Sequence, residues 1–222
     1  MTTPTKLIGF VALSVVLSAC ASNDIRWIEE VKLSDGKIIQ LQRHVELTES
    51  GFPVQQRGFD KYQEICYPPM NIRWKSKAGY QPDIFDIVDG KAYMHVPLAA
   101  AAECMAQGNP TPNALYFVWD SGQWKRIKHE EFPKTSEWNL LMQTNRGSKE
   151  TDPQGLISIM DKTSGKWIDR SLRFDQKRFG GKRVNELYAW REGCLQWGST
   201  NPNANPSGSE IFINDGKGSC QP

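Results

Sequence analysis

The chain has 222 residues, with 27 basic against 25 acidic side chains and a formal net charge of +2. Such a balance gives no long-range field that would gather nucleic acid or drive an acidic partner onto the surface as a whole. The length suits one all-β domain or two small ones, and eight tryptophans and nine phenylalanines supply apolar bulk for a core.

Lys6 is followed by an apolar run from Leu7 to Leu17 and then by Leu17-Ser18-Ala19-Cys20. A charged start, about a dozen apolar residues and small residues before a cut site make a secretory signal. A membrane span needs about 20 apolar residues. The four residues ending at Cys20 resemble the lipobox of bacterial lipoproteins. That resemblance implies removal of residues 1–19 and a Cys20 carrying a thioether-linked diacylglycerol and an amide-linked acyl chain. A plain cleaved signal with a coincidental cysteine is the alternative. In enterobacterial sorting an aspartate directly after the lipidated cysteine favours the inner membrane. Ala21 stands there, so the resemblance implies anchoring in the outer membrane, facing the periplasm. Residues 20–24 then form a lipidated tether, and residues 25–222 a single β-rich domain that starts within about 20 Å of the membrane. The mature chain of 203 residues keeps 26 basic and 25 acidic side chains.

Four further cysteines, Cys66, Cys104, Cys194 and Cys220, make an even count for an oxidising compartment. Two disulfides are expected. Of the three possible pairings, Cys66 with Cys104 and Cys194 with Cys220 close modest loops, each contributing about 3.5 to 4 kcal/mol by loop entropy. The spacings lack the paired C-x-x-C of zinc sites and of redox motifs.

In chain order, Ile25 to Leu33, the turn Ser34-Asp35-Gly36 and Lys37 to Leu47 predict a β-hairpin. Ile39, Leu41, Val45 and Leu47 fall on its apolar face; Gln40, Gln42, His44 and Glu46 fall on the wet one. This opening is similar to the start of some uncharacterised proteobacterial envelope proteins over about 20 residues, a likeness that implies no activity. Residues 48–69, with Gly51, Pro53, Gly58, Pro68 and Pro69, read as a long loop. Strands are expected at Met70–Lys75, at Asp83–Val88 and Lys91–Val96 about Asp89-Gly90, and at Ala114–Trp119 and Gln123–Lys128 about Asp120-Ser121-Gly122. Between them, Pro97 and the alanine-rich stretch to Gln107, closed by Gly108, predict a helix. A second helix or a strand is expected at Val184–Trp190, an exposed loop at Ser199–Ser209 and a last strand at Glu210–Asn214. Residues 133–165 are mixed, with Leu140-Leu141 and Leu156-Ile157 as apolar anchors. Together these elements predict a mainly β fold, an antiparallel β-sandwich or meander with one or two short helices.

Catalytic constellations are hard to assemble from these residues. His44, His95 and His129 are far apart, with no H-x-x-x-H or H-E-x-x-H pattern. Asp83, Asp86 and Asp89 lack the every-second-residue spacing of a calcium loop. No G-x-S-x-G elbow or phosphate loop is present. Paired carboxylates for glycoside hydrolysis are a property of the fold rather than of spacing, and no pair stands out.

One charge feature remains. Between Lys166 and Arg183, Lys166, Arg170, Arg173, Lys177, Arg178, Lys182 and Arg183 outnumber Asp169 and Asp175, with Trp167, Phe174 and Phe179 interleaved. Such a run suits an anionic glycolipid or an acidic envelope protein, or else is a solvated surface balanced by acids elsewhere. The expectation is therefore a non-enzymatic binding or structural lipoprotein of the envelope, with no metal and no cofactor implied. An envelope hydrolase acting on glycan or lipid and a toxin-neutralising or phage-excluding lipoprotein are the rival readings.

Overall fold

The computed structural model describes residues 24–47, 60–77, 79–98, 101–143, 155–164, 172–173 and 211–212. The protein is mainly β, built from two principal sheets. The first hairpin is β1 (Asp24–Lys32) and β2 (Ile38–Leu47), in full antiparallel register from Asp24 opposite Glu46 to Lys32 opposite Ile38. Next come β3 (Asp60–Tyr67) and β4 (Ile72–Lys77), which extend the same sheet. The second sheet is a four-stranded antiparallel meander of β5 (Ile84–Val88), β6 (Lys91–Pro97), β7 (Ala114–Asp120) and β8 (Gln123–Ile127). Its two tight turns carry the backbone their sequences require. Asp89 and Gly90, and again Ser121 and Gly122, all have positive φ, as a two-residue turn matched to strand twist demands. A short helix α1 (Ala101–Ala106) sits between β6 and β7, within the alanine-rich stretch expected to be helical.

The region 48–69 departs from expectation, because residues 60–67 form β3, a strand paired on both sides. Its inward positions are Gln63, Ile65 and the partly buried Tyr67, so the apolar alternation that marks a strand is diluted by a buried amide. Gln63 is accommodated because its side-chain amide Nε2 donates to the Tyr80 carbonyl at 3.1 Å. Pro68 to Met70 form a 3-10 turn, which moves the start of the next strand to Ile72.

The two sheets face each other across one apolar cluster. Val31, Leu41, Ile65, Ile72 and Trp74 come from the first, and Phe85, Met94, Val96, Leu115 and Phe117 from the second. Trp74 is fully buried at its centre, with ring centroids of Phe117, Trp124 and Phe212 at 5.1, 5.5 and 4.9 Å in edge-to-face geometry. Each such pair adds about 0.5 to 1.5 kcal/mol beyond area burial. Phe212 reaches this cluster beside an isolated antiparallel bridge to Ser76, within the stretch where a final strand is expected.

Residues 128–138 run over the outer face of the second sheet as a strap, whose end, residues 139–141, returns to the first sheet. On the outer face Phe132 and Trp138 pack on Ile84, Ala114 and Tyr116. Asn139 pins the strap: its Oδ1 accepts from Phe85 N at 2.9 Å, and its Nδ2 donates to the carbonyls of Phe85 and Lys32 at 2.6 and 3.0 Å. Beyond it, β9 (Met142–Gln143) pairs with a short β11 (Leu172–Arg173). Between these two in the chain, β10 (Leu156–Ile157) joins the first sheet beside β1, and α2 (Ile159–Thr163) follows at once. β10 runs parallel to β1, the one departure from antiparallel pairing among the described strands. A capping box explains the start of α2: Ser158 accepts from Asp161 N, and the Asp161 carboxylate accepts from Ser158 N.

Cys66 and Cys104 are both disulfide-bonded. Pairing with each other, which loop length favours, does not fit their positions. Cys104 belongs to the interlayer cluster with Ile65 and Trp74, whereas strand alternation turns Cys66 to the far side of the first sheet, in register with Gln42 and Arg73. No other cysteine is among the described residues, and Cys194 and Cys220 lie outside them. Peptide mapping without reduction is therefore expected to recover Cys66 and Cys104 in two separate linked pairs. One linked pair containing both would contradict this placement.

Candidate functional site

Besides a buried network at Glu29, titratable side chains among the described residues gather in three places, one closed, one open and one only partly open to solvent. The closed one is on the outer face of the second sheet. There His95 Nδ1 lies 2.5 Å from Asp83 Oδ1, with both side chains buried. A carboxylate that orients an imidazole supplies two of the three members of a nucleophilic triad. Here, however, the ring is sealed among Tyr116 and Phe132, with centroids at 5.1 and 6.1 Å. Burial, together with the Asp83 and Glu130 charges, pushes the Tyr116 phenol above its ordinary range. Both side chains are buried beneath the strap, where the cluster packs.

The neighbouring aspartates are also committed to structure. Asp86 Oδ1 accepts from Ser34 N at 3.1 Å and Ile87 N at 2.9 Å, and its Oδ2 accepts from Ser136 Oγ at 2.5 Å. It ties the first hairpin's turn, the second sheet and the strap together. Asp89 occupies the turn between β5 and β6. Among the described residues no group of three or more His, Cys, Asp or Glu side chains could hold a metal ion.

The open place is a cleft of about 450 Å³ where the hairpin turn meets the strap, walled by Lys32, Ser34, Asp35, Thr135, Glu137 and Trp138. Its lining mixes both signs of charge with hydroxyls. Asp35 is already occupied, because Lys37 donates to it from both Nζ, at 2.6 Å, and its backbone N–H, at 2.9 Å. Those hydrogen bonds hold the Asp35 carboxyl below its ordinary range.

The partly open place is the far face of the first sheet, where a largely buried polar row crosses four strands. Arg26, His44, Glu64 and Lys75 stand in mutual register on β1, β2, β3 and β4. His44 does not sit on a wet face as its sequence position suggests; it is only 7 % exposed. Its Nε2 meets Asp24 Oδ1 at 2.9 Å and its Nδ1 faces Glu64 Oε2 at 3.4 Å. Tyr62 packs edge-on to the imidazole at 5.6 Å, and Lys75 Nζ lies 4.0 Å from the Tyr62 ring centroid. Arg73 Nε donates to Glu64 as well. Burial raises the Glu64 carboxyl, but the hydrogen bonds from His44 and Arg73 outweigh it and the net direction is downward.

The residues singled out from sequence distribute unevenly. Cys66 lies on this far face and Cys104 in the core, so the structure does not bring them together. Of the basic run, Arg173 lies on β11, while Arg170, Lys177, Arg178, Lys182 and Arg183 lie outside the described residues, as does Cys20. The expected element at Val184–Trp190 and the loop at Ser199–Ser209 lie outside them too. Sequence reasoning missed the row because three of its members are ordinary charged strand residues. The available signal was register: once the hairpin is set, Arg26 must stand opposite His44.

No protein family, curated protein or solved structure matches this chain.

Glu64 gives a pH test with a defined sign. Its folded pKa is below the ordinary 4.5, so its stabilising contribution is fully present above that pH and is lost as pH falls through the folded value. Urea unfolding across about pH 3 to 6 should show stability falling at the acid end, with a shallower fall in Glu64→Gln. Parallel acid limbs in the two proteins would mean that Glu64 is not linked to folding.

Proposed function

We propose that this protein is a lipoprotein of the bacterial outer membrane, anchored through Cys20, whose β-sandwich binds another envelope component without catalysing a reaction. The observation that carries this reading is the disulfide-bonded state of Cys66 and Cys104. Disulfides persist in oxidising compartments such as the periplasm, which is where the Leu17-Ser18-Ala19-Cys20 resemblance directs the chain. The short leash supports it further. Strand β1 begins at Asp24, four residues after Cys20, so the domain is held at the membrane surface rather than projected across the periplasm.

A binding role agrees with how the described charges are used. Glu64, Asp83 and Asp86 each hold another element of the fold, and the open cleft presents polar groups of mixed sign. An envelope protein or an anionic glycolipid is the class of partner such a surface and the basic run would meet.

Replacement of Cys20 tests the reading. Wild-type protein should incorporate radiolabelled palmitate and fractionate with the outer membrane, and Cys20→Ser should lose both properties. A variant that stays in the membrane fraction with unchanged mobility would refute the anchor. Crosslinking in intact cells followed by affinity capture should return an envelope partner, and capture at background level would count against a binding role.

A further inference from the structure

We propose that the β10 edge of the first sheet is a membrane-docking edge, which lays the domain against the lipid surface that holds its anchor. This rests on the lipoprotein reading above and goes beyond it by naming a second contact and an orientation. Three large apolar side chains stand exposed along this edge: Ile28 at 40 %, Leu156 at 50 % and Met160 at 80 %. Ile28 and Leu156 are register partners across the β1–β10 pair, so they share one face of the sheet. Met160 lies on α2, directly after β10. Its helical position is opposed to that of Lys162, which points into the core, so Met160 turns outward.

Chain length selects the lipid surface as the occupant. From Cys20 to Asp24 the tether spans at most about 14 Å. Ile28 lies four strand residues further, about 13 Å on. An apolar edge on the strand that leaves the anchor therefore stays within reach of the bilayer at all times. Neighbouring charge also fits. Arg26, exposed and two residues nearer the tether on the face of Ile28, can lay its stem on apolar surface and its guanidinium at lipid phosphates. The acids of β1 on that face are both engaged: Glu30 accepts from the Ile159 N–H at 3.0 Å, and Asp24 meets His44 Nε2 at 2.9 Å. An apolar edge carrying a flanking cation is the pattern of an interfacial contact.

The test uses full-length lipidated protein in vesicles of phosphatidylethanolamine and phosphatidylglycerol, with a nitroxide at Met160→Cys and, as control, at Gln123→Cys on the second sheet. The label at 160 should collide several-fold more with oxygen than with a water-soluble nickel chelate, and the label at 123 should show the reverse. If both labels are equally open to nickel while the protein floats with the vesicles, the edge faces water and the proposal fails with the anchor intact. If the protein does not float, the lipoprotein reading fails and the docking edge falls with it. Dipolar broadening between labels at 160 would show a second copy covering the edge, which also overturns the proposal.

Discussion

The carboxylate of Glu29 is the point from which the arrangement around the first sheet is set. It is fully buried on the inward face of β1, where Oε2 accepts from Arg43 Nη1 at 2.5 Å and Oε1 accepts from Lys162 Nζ at 3.0 Å and from Leu141 N at 2.7 Å. One side chain on β1 thereby fixes β2, α2 and the end of the strap. The cations are completed by backbone: Arg43 Nη2 donates to the Leu141 carbonyl at 3.1 Å and Lys162 Nζ to the Asn139 carbonyl at 2.5 Å, while the Arg43 guanidinium lies 5.0 Å from the Trp27 ring centroid. Two buried cations share one carboxylate, and burial depresses the pKa of both Arg43 and Lys162. Desolvating three charges costs several kcal/mol per ion, so this network is a poor source of net stability. What it supplies is placement, since α2 and residues 139–141 reach their hydrogen-bond partners in one position only.

That placement links the apolar clusters. Leu141 and Ile157 pack with Ile25, Trp27, Val45 and Leu47 beside the network, while Leu140 enters the interlayer cluster with Trp74 and Phe117. Asn139 and Asp86 then carry the strap across to the second sheet and the hairpin turn. The cleft at the turn and the β10 edge are both consequences. Each exists because the segment after β8 is drawn back onto the first sheet, where β10 and α2 settle beside β1.

Most of the antiparallel elements were legible in the sequence because local chemistry determines them. Strict alternation set the first hairpin, and Asp89-Gly90 and Ser121-Gly122 demanded backbone that only tight turns provide. What remained hidden was nonlocal. Glu29 interrupts the inward series Ile25, Trp27, Val31, Leu33, and Arg43 interrupts Leu41, Val45; each looks like a weak point in a pattern until both are placed in register. A charged residue at an inward position of each arm was the readable sign of a buried ion network, but Lys162, more than a hundred residues later, gave none. The buried Gln63 concealed β3 in the same way, and the parallel β10 is too short to carry a period. His44 looked solvated because two carboxylates that bury it come from other strands.

The fold thus holds polar groups where apolar ones would pack as well, on the inward face at Glu29 and on the far face at His44. In the first place the charges position the strap; in the second they join all four antiparallel strands of the sheet in one row. The account stands most directly on Glu29, and equilibrium urea unfolding of Glu29→Gln measures it. Leaving Arg43 and Lys162 buried without their counter-charge should cost about 3 to 5 kcal/mol. A loss within about 0.5 kcal/mol, the range of an unremarkable surface substitution, would contradict it.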